Sequence, residues 1–167
     1  MPKPVPVTVA PAVAACRLRA ARVDEAAALT DLALLSKASW GYEPAFMARC
    51  RSGMVIRPAA IRRHPFVVAE DRGRLLGFYG FGREADALNL DWLFVHPDHL
   101  GQGIGKRLFR HAETWARGAG WAEMTIVADP HAEDFYRHLG ATPAGARPSE
   151  LFARRNLPVL RYRLNPG

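Results

Sequence analysis

Chemistry in this chain concentrates first at Leu100-Gly101-Gln102-Gly103-Ile104-Gly105-Lys106, where three glycines alternate ahead of a run with helical periodicity. Glycines let backbone N–H groups approach an anion closely, and a helix N-terminus adds roughly half a positive charge. Lys106, Arg107 and Arg110 follow in the first turns, so the segment reads as a phosphate cradle. It fits neither common glycine-rich nucleotide motif. A GxGxxG pattern started at Gly101 puts its third glycine on Lys106, and one started at Gly103 puts it on Leu108. A GxxxxGK[ST] pattern needs glycine at Leu100 and a hydroxyl where Arg107 stands. Asn89 and Asp91 alternate along a strand pattern and so share a face, where only the carboxylate can take up a proton. Cys16 and Cys50 are too few for a disulfide framework or a four-thiolate zinc site, and read as small core hydrophobes or free thiols. His96 and His99 sit three apart on a strand-end turn without an evident third ligand, and His131 and His138 sit seven apart; no metal site is expected.

The elements that position these groups follow from the hydrophobic pattern. Cys16 to Ala20 alternates as a short strand, and Asp24 and Glu25 open a helix with Ala28, Leu29, Leu32 and Leu35 at helical spacing, ending before Gly41. A second helix is predicted over Pro44 to Arg51, and a turn or short helix over Pro58 to Arg63. His64 to Glu70 and Leu75 to Phe81 form a hairpin around Asp71-Arg72-Gly73-Arg74. A strand over Leu88 to Val95, a helix from Ile104 to about Gly118, a strand over Trp121 to Ala128 and a short helix over Ala132 to Leu139, capped by Gly140, complete a βααββ–βαβαβ order. That order implies an α/β domain with a mixed sheet and helices on both faces.

The whole chain has 167 residues, the size of one domain, and its 49% hydrophobic and 23% charged composition excludes a wholly disordered protein. Residues 1–15 carry Pro2, Pro4, Pro6 and Pro11 and are expected to be a disordered proline-rich tail, leaving one domain over 16–167. Val13-Ala14-Ala15-Cys16 has the small residues of a lipoprotein cleavage site. The prolines before it, however, interrupt the apolar core that an export signal needs, so a cytoplasmic location is expected. No run of about 18 apolar residues is present, and no membrane span is expected. The formal charge of +7, with 20 Arg against 3 Lys, favours an anionic partner such as nucleic acid, a membrane surface or a phosphorylated cofactor, or else reflects genome composition.

The strand end Phe94-Val95-His96-Pro97, the run LGQGIGKRLF over 100–109 and the later helix AEDFYRHLG over 132–140 together resemble the GNAT superfamily of N-acetyltransferases. That family's signature is [QR]xxGx[GA] after a V-x-P strand end, with A-x-x-FY-x-x-x-G downstream. The resemblance is strongest over 88–140 and extends from Cys16 to the C-terminus. Residues 36–42 (SKASWGY) and the closing Leu157-Pro158-Val159-Leu160 resemble a bacterial branch with undefined acceptors. The chain departs from the pattern in three places: Leu100 replaces Gln or Arg, Asp129 stands where many members have Asn, and Ala141 replaces an aromatic.

The resemblance implies a central, mostly antiparallel sheet flanked by helices on both faces and splayed at the cofactor site, with acetyl-CoA as donor and no metal. The pyrophosphate would lie on the backbone of Leu100, Gly101, Gln102, Gly103, Ile104, Gly105 and Lys106. The pantetheine arm would run beside the main chain of Leu93, Phe94 and Val95. Lys106 and Arg137 would reach phosphates, and Asp129 and Phe135 would make further cofactor contacts. Tyr136 would protonate the leaving thiolate, and Asp91, directly or through water held by Asn89, would deprotonate the amine. Trp40 and Tyr42 would cover the acceptor, with Phe46 and Trp92 as wall or core. Neither cysteine lies near these motifs, so direct transfer in a ternary complex is expected.

The expected partner is a small-molecule or peptide amine, and the expected assembly a monomer or homodimer. Two alternatives remain: action on aminoacyl-tRNA, suggested by the charge and by Arg154, Arg155, Arg161 and Arg163, and a catalytically silent CoA-binding module.

Overall fold

The computed structural model describes residues 15–164. The tail expected over residues 1–15 lies, apart from Ala15, outside the described residues. The chain runs β1 (Arg17–Ala20), α1 (Ala26–Ala38), α2 (Pro44–Gly53), α3 (Pro58–Arg63), β2 (Phe66–Asp71), β3 (Arg74–Glu84), β4 (Ala87–Val95), α4 (Ile104–Gly118), β5 (Glu123–Val127), α5 (Glu133–His138), β6 (Thr142–Pro148) and β7 (Asn156–Arg163). Single turns of 3-10 helix at Val23–Glu25, Pro97–His99 and Pro130–Ala132 lead into α1, the glycine turn and α5 respectively. Pro44 and Pro58 open α2 and α3, where a missing N–H costs nothing. Arg72 and Gly73, both at positive φ, close the β2–β3 hairpin as a two-residue turn whose twist suits the strands.

The seven strands lie in the order β1-β2-β3-β4-β5-β7-β6. Every neighbouring pair is antiparallel except β4 and β5, which are parallel and share a single paired position, Asn89 with Thr125. Beyond that pair the two strands diverge, and the sheet opens in its middle. Helices cover both faces. Helix α4 buries Ile104, Leu108 and Phe109 against Tyr79 and Phe81 on one side, and α1 buries Leu29, Leu32 and Ala33 against Phe66, Val68 and Phe78 on the other.

The sequence order supplied one strand after α5; the structure has two. Thr142–Pro148 contains two prolines and a glycine and reads as loop, yet it forms the edge strand β6, fully exposed along its length. An edge strand tolerates prolines because its outward N–H groups need no partner. The other difference lies in β4. Gly80 pairs with Trp92 and Phe81 with Leu90, so Asp91 is an extra, unpaired residue in a β-bulge. Leu88 and Leu90 before it and Leu93 and Val95 after it therefore face the same core, which strict alternation from Leu88 would not allow.

Candidate active site

The glycine turn ends in helix α4 and forms one wall of the split. Gly101 and Gly103 take positive φ, 72° and 84°, and Gly103 is the N-cap of α4. Among the described residues, the N–H groups from Gly101 to Lys106 donate to no protein acceptor, while Arg107 N–H closes the first helical turn on Gly103. A Cβ at Gly101 would meet nothing within 4 Å, so that face of the turn is open. At Gly105 a Cβ would come within 3.3 Å of the Phe135 ring, and this glycine brings α4 close to α5.

These groups line a cavity of about 290 Å³. It is walled by Leu93, Phe94 and Val95, by Leu100, Gly101, Gly103, Ile104, Gly105 and Lys106, and by Phe135 and Tyr136. Of the residues expected around a cofactor, Gln102, Arg137 and Asp129 are not in this wall. Gln102 is exposed and bonds the Asp98 carbonyl and His99, and Arg137 is exposed on α5. Tyr136 is 6% exposed, packs on Phe109 and Phe135, and its phenol has no hydrogen-bond partner among the described residues. Burial raises its pKa above that of a free phenol.

A second, larger cavity of about 580 Å³ lies across the split. Trp92 lines it while its neighbour Leu93 lines the smaller one, and Lys37 lines it while Ser36 lines the other. The two cavities thus abut where β4 and β5 separate. Asn89 and Asp91 both face the larger one, as their shared strand face implied. The bulge aims Asp91 across β3 at Gly82, where a Cβ would fall 1.9 Å from Oδ2. Asp91 is an exposed residue whose carboxylate opens on the cavity, with the β3 backbone at Gly82 on one side of it. Desolvation, and after it the negative charge of Glu84, pushes its pKa up to about 6, against the pull of Arg147.

Asp129, expected near the cofactor, is instead saturated by protein. It accepts from Lys37 Nζ at 2.7 Å, Tyr42 Oη at 2.8 and 2.9 Å, Arg155 Nη2 at 3.2 Å and the His131 N–H at 2.9 Å. Burial pushes its carboxyl up, but these donors, Lys37 foremost, outweigh that and hold it below the ordinary range. Tyr42 lines neither cavity. It stacks on Phe46 at 4.1 Å, which stacks on Phe152 at 4.2 Å, and the Arg155 guanidinium lies 4.7 Å from the Phe46 ring. Phe46, Phe152 and Arg155 form a wall of the larger cavity. Trp40, expected over the acceptor, lines the smaller cavity and stacks on His131 at 5.6 Å.

Lys37, Arg147, Glu150, Phe152 and Arg155 were not legible as residues of an acceptor cavity: Lys37 stood out only within the SKASWGY segment and Arg155 only among the arginines near the C-terminus. Helix α1, strand β6 and the β6–β7 connection supply them. Cys50, remote from the motifs in sequence, also lines the larger cavity, but it is fully buried and burial raises its thiol pKa, which disfavours a nucleophilic thiolate. Of the arginines that suggested RNA, Arg155 points inward to Asp129 and Arg161 lies 3.9 Å from Glu123, leaving Arg154 and Arg163 exposed and without ion pairs among the described residues. Among the described residues no three His, Cys, Asp or Glu side chains converge as a metal site, and no helix is long and apolar enough to cross a membrane.

Comparison with known proteins places this geometry in context. Residues 62–140 match the family model of the acetyltransferase (GNAT) domain. Streptothricin acetyltransferase of Streptomyces lavendulae is 41% identical over 81 residues, covering 45% of this chain and 42% of that protein. The N-acetyltransferase ycf52 of Gracilaria tenuistipitata is 41% identical over 46 residues, 28% of this chain and 25% of that one. The matched stretch thus spans less than half the length of these curated relatives. Among solved structures, the PaiA N-acetyltransferase of Thermoplasma acidophilum in complex with coenzyme A superposes with a TM-score of 0.73 at 17% identity, over 89% of this chain and 98% of that one. YncA of Salmonella typhimurium with acetyl-CoA does so with a TM-score of 0.65 at 21% identity, over 91% and 95%. At these identities the likeness is one of fold.

Proposed function

The chain belongs to the GNAT superfamily, and from that premise we propose that it is an acetyl-CoA-dependent N-acetyltransferase acting on a primary amine by direct transfer. The observation that carries this reading is the junction of two cavities at the β4–β5 split, one edged by unpaired backbone amides and the other by Asp91.

The smaller cavity suits acetyl-CoA by its donor set. The free N–H groups of Gly101 to Lys106, at the positive end of a 15-residue helix, match a pyrophosphate, and the apolar wall of Leu93, Val95 and Phe135 matches a thioether-like arm. Where β5 has turned away, the β4 main chain near Phe94 is available to pair with an amide-bearing chain as with a further strand. Leu100 contributes backbone and an exposed apolar side chain where the family signature has a polar one. Bound acetyl-CoA would supply an activated acetyl thioester at the split.

The acceptor amine would enter from the larger cavity. An alkylammonium has a pKa near 10.4, so a carboxylate near 6 cannot deprotonate it outright; that step lies about 6 kcal/mol uphill. The amine therefore attacks from its small neutral fraction, having released one proton to solvent, and Asp91 takes the second proton as the C–N bond forms, when the nitrogen has become acidic, either directly or through water held by Asn89. On the other side Tyr136 keeps its proton at neutral pH because burial disfavours the phenolate, and it is available to give that proton to the departing sulfur.

The test is thiol release from acetyl-CoA across a library of primary amines, with acetyl-CoA affinity measured separately by calorimetry. Acetyl-CoA binding and turnover of at least one amine is the expected result. Binding without turnover of any amine would leave a silent CoA-binding module.

A further inference from the structure

The wall of the larger cavity formed by Lys37, at the end of α1, and Arg155, between β6 and β7, carries more positive charge than the protein neutralises. Both cations rest on the same carboxylate oxygen, Asp129 Oδ2, at 2.7 and 3.2 Å. The Tyr42 phenol that joins them stays neutral, its pKa pushed up to about 12 by burial first and then by Asp129. Two cations therefore share one anion, with side chains only 12% and 20% exposed, where water compensates poorly. Both also lie over aromatic rings, Lys37 over Tyr42 at 5.5 Å and Arg155 over Phe46 at 4.7 Å, but their hydrogen-bonding capacity is unspent. Lys37 uses one of its N–H bonds, and Arg155 uses only Nη2, which donates to Tyr42 and to Asp129; Nε and Nη1 have no acceptor among the described residues.

Elsewhere the same cavity is lined by Glu84, Asp91 and Glu150 against Arg83 and Arg147, which leaves one negative charge in excess. Asp91 and Glu150 have no ion pair among the described residues, whereas Glu84 is held by Arg147 at 3.2 Å. The face between the two poles is aromatic, from Phe46 and Phe152.

Building on the acetyltransferase reading above, we propose that the acceptor is a small amino carboxylate, whose amine lies toward Asp91 and whose carboxylate lies on Lys37 and Arg155. One carboxylate carries the single negative charge that the Lys37–Asp129–Arg155 cluster lacks, and its two oxygens match a planar guanidinium fork. A dianionic phosphate would leave one charge uncompensated in the same place.

The experiment compares amino acids, both α- and ω-amino, with their carboxamides and the matching decarboxylated amines. Binding to the protein saturated with CoA is read by calorimetry, and thiol release from acetyl-CoA is read on the same panel. At least one amino carboxylate should bind about ten- to hundred-fold tighter than its carboxamide and show the same preference in KM. Arg155→Gln should bring the pair close to equal affinity, while Arg155→Lys, which keeps the charge but not the fork, should fall between. Circular dichroism identifies a variant that does not fold, and the wild-type pairs decide without it. Equal or tighter binding of the neutral partners, a preference that survives Arg155→Gln in folded protein, or no binding of any amino acid overturns the proposal. Turnover without carboxylate preference sinks this proposal and leaves the enzyme reading standing. Carboxylate-selective binding without turnover of any amine does the reverse.

Discussion

At the scale of single residues, Asp91 and Tyr136 divide the proton traffic between two cavities, and each role has its own signature. With a carboxyl near 6, kcat/KM for wild type should rise through about pH 6 as the Asp91 carboxylate forms, and Asp91→Asn should lose that limb along with about 10²–10³-fold in rate. The same shift predicts stability with the opposite sense. A carboxyl raised in the folded state binds its proton more tightly there than in the unfolded chain, so Asp91 lowers stability as pH climbs from about 4 to above 6. Asp91→Asn should therefore melt higher than wild type at pH 8, with the gap closing toward pH 4. Tyr136→Phe removes a hydroxyl with no protein partner among the described residues and keeps the ring packed on Phe109 and Phe135, so melting temperature and acetyl-CoA affinity should hold. Its single-turnover rate should fall about 10²–10⁴-fold; a rate within about three-fold of wild type would reduce this tyrosine to a core aromatic.

At the scale of elements, the β4 bulge and the facing glycine of β3 act together. The bulge provides an extra residue, and Gly82 leaves the space into which its carboxylate swings. Gly82→Ala places a methyl 1.9 Å from Asp91 Oδ2, and the side chain, open to the cavity, can move aside at small structural cost. The expected outcome is a folded protein with near-normal acetyl-CoA affinity and a turnover loss approaching that of Asp91→Asn. Full activity in Gly82→Ala would mean that the orientation of Asp91 is immaterial. Alternation along LNLDWLFV made the shared face of Asn89 and Asp91 legible, but not the bulge, because a bulge is defined by the register of the partner strand. The edge strand β6 escaped for a related reason: its pairing with β7 offsets a sequence that by itself favours a turn.

At the scale of the whole molecule, charge ties distant elements together. Asp129 at the end of β5 holds Lys37 of α1, Tyr42 of the α1–α2 connection and Arg155 of the β6–β7 connection, and so closes one end of the larger cavity. Glu25 and Glu113 are likewise held below the ordinary carboxyl range, Glu25 chiefly by Arg19, and Glu113 by Arg110 and Tyr162 against the cost of its burial. Carboxyls depressed in the folded state take up protons first in the unfolded chain. Their stabilisation is complete above about pH 5 and drains away as pH falls through the lower folded values. A thermal melt series from about pH 7 to about 2.5 should show a steep fall in Tm below about 4.5. Asp129→Asn should be less stable than wild type at pH 7 by about 2–3 kcal/mol after discounting for the partial exposure of its two cations, read as a lower Tm, and this difference should shrink in acid. A pH-independent deficit would assign Asp129 a packing role only.

Local patterns determined a great deal of this protein. Glycine spacing before a helical run marked the anion cradle, since an N-terminus with free amides is a property of the chain segment itself. Helix and strand periodicities placed nearly every element, and the joint spacing of the Gly101–Gly105 turn and the Tyr136 helix pointed to the family whose domain model the chain matches. Tertiary structure alone decided where the acceptor side lies. Asp129 is separated from Lys37 by 92 residues and from Arg155 by 26, and their meeting depends on β5 parting from β4 and pairing with β7. Charge neutrality in a cavity is a sum over elements that become neighbours only on folding. No window of sequence contains that sum, and so the surplus charge beside Asp129 became visible only in three dimensions.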